Sequence, residues 1–254
     1  MANQELTAAI QATFKRSRGT YGAPRIHAEL KSQGMECSRP RVARLMRQAG
    51  IQARRRRAYK VTTTLSRHNY PVAPNTLNRQ FWAEGPNEKW VGDITYIPTK
   101  EGWLYLAAVL DIYSRKVVGW AMDKHMEQEL VASALQMATS HRQPTEGVIH
   151  HSDRGSQYAA QDYQQLLDAH KMVVSMSRKG DCYDNAVMES FWSTLKAECA
   201  TEIYNSRAEA RQSIFEYVEV WYNRQRRHSA LGYYSPESFE QRYFESNSVS
   251  TKSL

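Results

Sequence analysis

The stretch that opens V-I-H-H-S-D-R-G-S-Q-Y, Val148 to Tyr158, and closes D-N-A-V-M-E-S-F-W-S-T-L-K, Asp184 to Lys196, decides how the fold is read. Asp153 follows the short apolar run Val148-Ile149 and precedes Arg154-Gly155-Ser156, so it sits where a strand ends in a turn. Glu189 comes one turn after Asp184-Asn185, which reads as a helix N-cap. Val187, Phe191 and Leu195, with Met188 and Trp192, recur at helical spacing, and Glu189, Ser193 and Lys196 share the opposite face. Residues 154 to 188 separate the two acids, a gap of 35.

A third acid, Asp93, lies upstream in W-V-G-D-I-T-Y-I, Trp90 to Ile97. Both alternating faces there are largely apolar, as in a central strand buried on two sides. A carboxylate in such a place is costly unless positive charge meets it. Two strand-borne aspartates and one helix-borne glutamate can converge, and three carboxylates at one point would raise each other's pKa. A pair of Mg²⁺ ions relieves that repulsion, because hard cations take oxygen ligands. Two such ions stabilise the attacking and leaving oxygens of phosphoryl transfer. Asp93, Asp153 and Glu189 are therefore the candidate catalytic and metal-binding residues, although any one of them alone would pass for a solvated charge.

The charge is unevenly placed along the 254 residues. Residues 1–80 hold 16 Lys/Arg against 3 Asp/Glu, and residues 81–254 hold 18 against 23, for a net +8 overall. Such asymmetry points to a nucleic-acid partner for the N-terminal third. Leu6, Ala9, Ile10 and Phe14 predict a first helix ending at Gly19, and Pro24 opens a second with Ile26 and Leu30 inward, closing at Gly34. Ser38 caps a third, in which Val42, Leu45, Met46 and Ala49 form the buried stripe before Gly50. Three short helices with a brief turn before the third make a helix-turn-helix domain over 1–52. Arg39, Arg41, Arg44 and Arg47 of the third are then the candidate DNA contacts, joined by the run Arg54-Arg55-Arg56-Arg57 and by Lys60 in a basic linker, 53–85. A basic bundle that binds protein is the duller reading. A short helix is expected near 75–81.

The core, 86–200, reads as strands at 89–97, 103–113 and 116–122, a helix at 127–140, a strand at 148–151, a helix at 161–170 and a strand at 172–175. Three antiparallel strands followed by alternating helix and strand is the order of an RNase H-like mixed five-stranded sheet with flanking helices. The loop 178–184 is expected to move in the absence of DNA. A C-terminal helical extension, 201–245, centres on a helix at 207–224, and the Ser-rich tail 246–254 is expected to be disordered. Asp111, Asp181 and Asp184 read as turn and cap residues, and Trp90, Tyr158 and Trp192 as packing residues. His150 and His151 are adjacent on a strand, point to opposite faces and are not expected to be ligands.

No apolar run approaches membrane-spanning length and the N-terminus has no signal-peptide pattern, so a cytoplasmic protein is expected. Cys37, Cys182 and Cys199 form no disulfide framework and no zinc constellation, and no internal repeat is present.

Six pieces carry a resemblance: Y-G-A-P-R-I-H-A-E-L (21–30), P-N-E-K-W-V-G-D-I-T-Y-I (86–97), V-L-D-I-Y-S-R-K-V-V-G-W (109–120), H-H-S-D-R-G-S-Q-Y (150–158), D-N-A-V-M-E-S-F-W-S-T-L-K-A-E (184–198) and Y-N-R-Q-R-R-H-S-A-L-G-Y (222–233). In this order they resemble the D, D-x35-E transposases and retroviral-type integrases, closest to the second-reading-frame protein (OrfB) of IS-three-type insertion sequences. Retroviral integrases carry an N-terminal zinc module, which this chain lacks. The resemblance implies the same RNase H-like fold, catalytic roles for Asp93, Asp153 and Glu189, and contact of Lys196 with terminal DNA phosphates. It further implies cleavage at element ends, strand transfer by the freed 3′-hydroxyl, two Mg²⁺ or Mn²⁺ ions, and double-stranded DNA at both element ends and target. A homo-oligomer holding two ends follows, with help from or fusion to an upstream-frame (OrfA) protein, in a bacterial cytoplasm and at the nucleoid when acting. Arg226 and His228 match the tail motif but receive no chemical role. A nuclease or resolvase of the same fold without strand transfer, or a non-catalytic helix-turn-helix regulator, are the alternatives.

Overall fold

The computed structural model describes residues 2–53, 70–179 and 181–250. Arg54, Arg55, Arg56, Arg57 and Lys60 therefore lie outside the described residues, as does 251–254 of the tail. Helices α1 (Asn3–Arg16), α2 (Ala23–Ser32) and α3 (Arg39–Gln48) form the N-terminal bundle. Leu6 and Ile10, Ile26 and Leu30, and Val42, Leu45 and Met46 are its buried stripes. Pro24 and Pro40 fall in the first turns of α2 and α3, where a missing N–H costs nothing. The Ser38 side chain accepts the Arg41 N–H at 3.4 Å to cap α3. Ala49 is only half-buried, at the edge of the stripe.

The sheet contains β1 (Lys89–Thr99), β2 (Gly102–Asp111), β3 (Val117–Asp123), β4 (Ile149–Ser152) and β5 (Val173–Met176) in the order β3-β2-β1-β4-β5. The first three strands pair antiparallel, while β4 and β5 pair parallel to β1 and to each other. This is the RNase H-like mixed sheet. Helices α4 (Gln128–Arg142), α5 (Ser156–Ala159) and α6 (Gln161–Ala169) cover one side, packing Leu130, Ala134, Leu135 and Leu167 with Trp90, Val109 and Val118. Gly119 is required there: a Cβ on it would lie 2.2 Å from the Ala134 carbonyl oxygen. The four-residue α5 carries no periodicity long enough to show in sequence.

The other side is covered by α7 (Ala186–Glu198) and α8 (Arg207–Phe215), the latter passing into π-helical turns over Glu216–Tyr222. The expected long helix at 207–224 is thus two windings of one rod. Its Ile214, Tyr217, Val218 and Trp221 join a core that also takes in Leu6, Ile26 and Leu30 of the bundle. A last helix, α9 (Pro236–Ser250), folds back on the β2–β3 turn through Tyr113–Phe239 and Tyr113–Tyr243 ring contacts. The composition predicts disorder from Ser246, whereas α9 runs through to Ser250. The Ser235 hydroxyl accepting the Ser238 N–H at 3.3 Å, Pro236 in the first turn, and Phe239 and Tyr243 one turn apart are the signals for this helix.

The helix expected near 75–81 is instead a turn. The Asn75 side-chain oxygen accepts the Asn78 N–H at 2.8 Å, and Asn78 and Arg79 both take positive φ, which an α-helix excludes. No helix among the described residues is long and apolar enough to cross a membrane.

Candidate active site

Register brings the two aspartates together. In the parallel β1–β4 ladder Val91 stands beside His151, and two residues further along each chain come Asp93 and Asp153. Both line one small cavity, with Ile94, Met126, Gly155, Gln157 and Tyr158. Asp153 Oδ1 accepts the Gly155 N–H at 2.8 Å, so the turn after β4 is wrapped on the carboxylate itself. Asp93 Oδ1 accepts the Ile94 N–H at 2.8 Å, and Oδ2 accepts the Trp192 indole N–H at 2.9 Å. The residue as a whole is half-buried, but its carboxyl lies deep. Burial first, then the charge of Asp153 and more weakly that of Glu189, push the Asp93 carboxyl well above the usual carboxylate range.

Glu189 stands on the exposed face of α7, three residues before Trp192, and desolvation raises its carboxyl modestly. Among the described residues no three acids, histidines or cysteines lie within reach of a single ion. Asp93 and Asp153 share a cavity, and Glu189 flanks it close enough for its charge to be felt. Oxygen donors only, with a carboxyl driven up by burial and then by a neighbouring carboxylate, are a donor set that suits a hard divalent cation. Lys196, further along α7, lies over the Tyr96 ring at 5.1 Å; burial lowers its pKa while the Asp93 charge opposes that.

The histidines behave as expected from their alternation. His150 meets the Tyr163 hydroxyl at 3.1 Å, and His151 sits between the hydroxyls of Ser175 and Ser177. Burial drives His150 down to about 3 and His151 to about 4, so both stay neutral. Asp111 takes the Asn87, Tyr113 and Ser114 N–H groups, in keeping with a turn residue. Asp181 accepts the Tyr183 N–H and caps the short 3₁₀ turn Cys182–Asn185.

The expected N-cap of α7 is different. Asn185 makes no side-chain cap, and its Oδ1 is buried without a hydrogen-bond partner among the described residues. Asp184, fully buried, accepts from Arg178 Nε and Nη2 at 2.9 Å, Arg79 Nε at 2.8 Å and Asn75 Nδ2 at 2.8 Å. Its carboxylate is consumed by two arginines and so cannot cap the helix. Trp192, expected as a packing residue, does more than pack. Its indole N–H on Asp93 is a long-range contact with no local signature in the sequence.

In α3, Arg39, Arg44 and Arg47 are exposed. Arg41 differs, because its guanidinium turns back to Asn3 Oδ1 at 2.9 and 3.2 Å and ties α3 to α1.

Three family models match along the chain: an HTH-like domain over residues 1–59 and integrase core domains over 83–182 and 170–236. A 31 kDa protein of insertion element IS600 from Shigella sonnei is 47% identical over 243 residues, covering 95% of this chain and 89% of its own. Transposase InsF of insertion sequence IS3A from Escherichia coli K12 is 47% identical over 238 residues, covering 93% and 82%. The chain belongs to the IS3 family of insertion-sequence transposases.

Members of this transposase family carry the integrase core, and with it the polynucleotidyl-transferase class. Among solved structures, an intasome chain of simian T-cell lymphotropic virus aligns at TM-score 0.48 with 16% identity, covering 76% of this chain and 65% of that one. The catalytic core of BIV integrase aligns at 0.47 with 14% identity, covering 63% and 98%. Likenesses that loose add no weight to the transposase assignment, which rests on the sequence relatives.

Proposed function

We propose that this transposase cuts the ends of its insertion sequence and joins them to a target at one site formed by Asp93, Asp153 and Glu189. The observation that carries this reading is the Trp192–Asp93 hydrogen bond, which seats the helix bearing Glu189 against the strand bearing Asp93, beside Asp153. The three carboxylates would hold two divalent cations, Mg²⁺ or Mn²⁺, which supply Lewis acidity to the phosphodiester. Asp93, within β1, and Asp153, just past the end of β4, would each offer a fixed oxygen, and the raised Asp93 carboxyl would lose its proton on binding a cation. Trp192 holds the Asp93 carboxylate in one orientation. Glu189 closes the set from the helix side.

A water attacks the phosphodiester at the element end and a 3′-hydroxyl leaves; that hydroxyl then attacks a target phosphodiester in line, and the target strand's own 3′-oxygen leaves from the opposite side. No covalent link to the protein is needed, so no serine or tyrosine nucleophile is called for. Arg39, Arg44 and Arg47, with the Arg54–Arg57 run, bear on the DNA backbone, and Lys196 on the terminal phosphates. Two ends must meet, so the working form is a homo-oligomer on DNA, helped by an upstream-frame partner, in the bacterial cytoplasm and on the nucleoid.

Incubation with labelled element ends and Mg²⁺, with and without the upstream-frame protein, tests this. Joined products carry the reading. Cut ends that never join indicate a hydrolytic nuclease, and binding without cutting under either condition indicates a regulator.

A further inference from the structure

The tail motif contains two consecutive arginines that turn in opposite directions. Arg226 is 2% exposed, and its guanidinium donates to both oxygens of Glu198 at 2.8 and 2.7 Å. The Tyr217 hydroxyl and the Trp221 indole N–H converge on the same carboxylate at 3.0 and 3.4 Å. Glu198 ends α7, nine residues beyond Glu189 (198 − 189), or roughly 13 Å along a helix rising 1.5 Å per residue. Arg227 reaches the other way, to the Glu29 carboxylate and the Ser32 hydroxyl in the last turns of α2. Its backbone N–H donates to the Tyr21 hydroxyl at 2.6 Å. Glu29 and Ser32 immediately precede the turn that leads to α3.

One dipeptide thus grips both the helix pair with the exposed arginines and the helix carrying Glu189. A buried ion pair adds little stability over apolar side chains of similar volume; what it can do is hold one arrangement against neighbouring ones, because any slip leaves a charge unpaired. Beside Arg227 the packing is open: a cleft lined by Arg16, Glu29, Trp221 and Arg224 separates the bundle from the tail. The α2 side of the joint is thus bordered by an open cleft, whereas the α7 side is buried.

We propose that Arg226 and Arg227 are positioning residues that transmit the seating of the helix-turn-helix domain on DNA to the catalytic helix. The inference rests on the reading of Glu189 as an active-site residue. When α3 docks, α2 moves with it, Arg227 follows Glu29, and Arg226 carries α7 through Glu198. Glu189 and Trp192 are then set together, since they share that helix.

The test uses the full chain with labelled element-end DNA and Mg²⁺, in single-turnover cleavage at saturating DNA. Arg227→Gln and Glu29→Gln should each slow cleavage roughly 10- to 100-fold, the scale of an ångström's misplacement acting from a distance. The dissociation constant for end DNA should stay within about twofold, far below the tenfold steps that matter to affinity, and each variant should remain fully folded at the assay temperature. Charge exchange, Glu29→Arg with Arg227→Glu, should restore most of the rate. Arg226→Lys keeps the charge but not the two-oxygen grip, and should slow cleavage in the same way. An unchanged rate in Arg227→Gln overturns the proposal, as does a loss confined to DNA affinity or one that tracks lowered thermal stability. Glu189→Gln serves as the reference: if it still cleaves, the active-site reading has failed rather than the joint.

Discussion

At the scale of single residues, the candidate chemistry depends on how one buried carboxyl is held. Asp93 has two hydrogen-bond donors, one from its own strand and one from Trp192. Trp192→Phe keeps an aromatic ring and removes the N–H, so a buried acceptor loses a partner, at a cost of about 1–3 kcal/mol. Urea unfolding should show that loss, and cleavage should slow because the carboxylate is free to turn. Unchanged cleavage would make the indole a packing group only. The three acids are legible in sequence because each stands where a pattern changes: inside an apolar strand, at a strand end, on the polar face of a helix. The Trp192 hydrogen bond is not legible, since it joins residues 99 positions apart. Nor is the turn of Arg41 toward Asn3, because helical periodicity gives the face of a side chain but not its partner.

At the scale of elements, the start of α7 is set by the Asp184 cluster rather than by a cap. Hydrogen bonds from Arg178 above all, and from Arg79, hold the Asp184 carboxyl well below the usual carboxylate range. The unfolded chain therefore binds more protons here than the folded one, and stability rises with pH through this window. The contribution is fully present above the ordinary aspartate value of about 4 and is lost as pH falls through the lower folded value. Asp184→Asn should cost about 1–3 kcal/mol at neutral pH, towards the lower end because both arginines are half-exposed. Acid titration of the melting temperature should be flatter in the variant than in the wild type. Parallel titration curves would assign the acid sensitivity elsewhere. In α3 the expectation divides by residue. Arg44→Ala and Arg47→Ala should each flatten the dependence of log affinity on log salt by about 0.9 for every phosphate that is no longer neutralised. Arg41→Ala, whose guanidinium is engaged with Asn3, should act more on the stability of the bundle than on that slope. Equal slopes for wild type and the Arg44 and Arg47 variants would remove α3 from the DNA surface. Strands and long helices are legible as periodicities, whereas the 75–81 turn is not, because the Asn75 side chain overrides a permissive helical pattern.

At the scale of the whole molecule, the chain closes on itself through its two ends. The N-terminal bundle shares a core with the helix that follows the sheet, and Tyr21 meets Trp221 with ring centroids 5.6 Å apart. The opposite corner is clamped by Glu240 of α9, which takes two hydrogen bonds from Arg142 at 2.8 Å and one from Ser114 at 2.7 Å. Glu240→Ala removes two hydrogen bonds from the covered Arg142 guanidinium, which keeps Asn87 and Asp111, and should cost about 1–3 kcal/mol, read as a fall in unfolding midpoint; a midpoint unchanged from wild type would show that α9 does not clamp the core. The family pattern in the sequence covers the sheet order and the bundle. It does not reveal α9 or the packing of the bundle on the tail, because such packing depends on where distant elements meet. The most direct measurement is the number of Mn²⁺ ions bound by the protein–end-DNA complex, counted by electron paramagnetic resonance titration. Two ions in the wild type, falling in each of Asp93→Asn, Asp153→Asn and Glu189→Gln with DNA still bound, is the expected result; the same count in Glu189→Gln as in the wild type would contradict a shared three-carboxylate site.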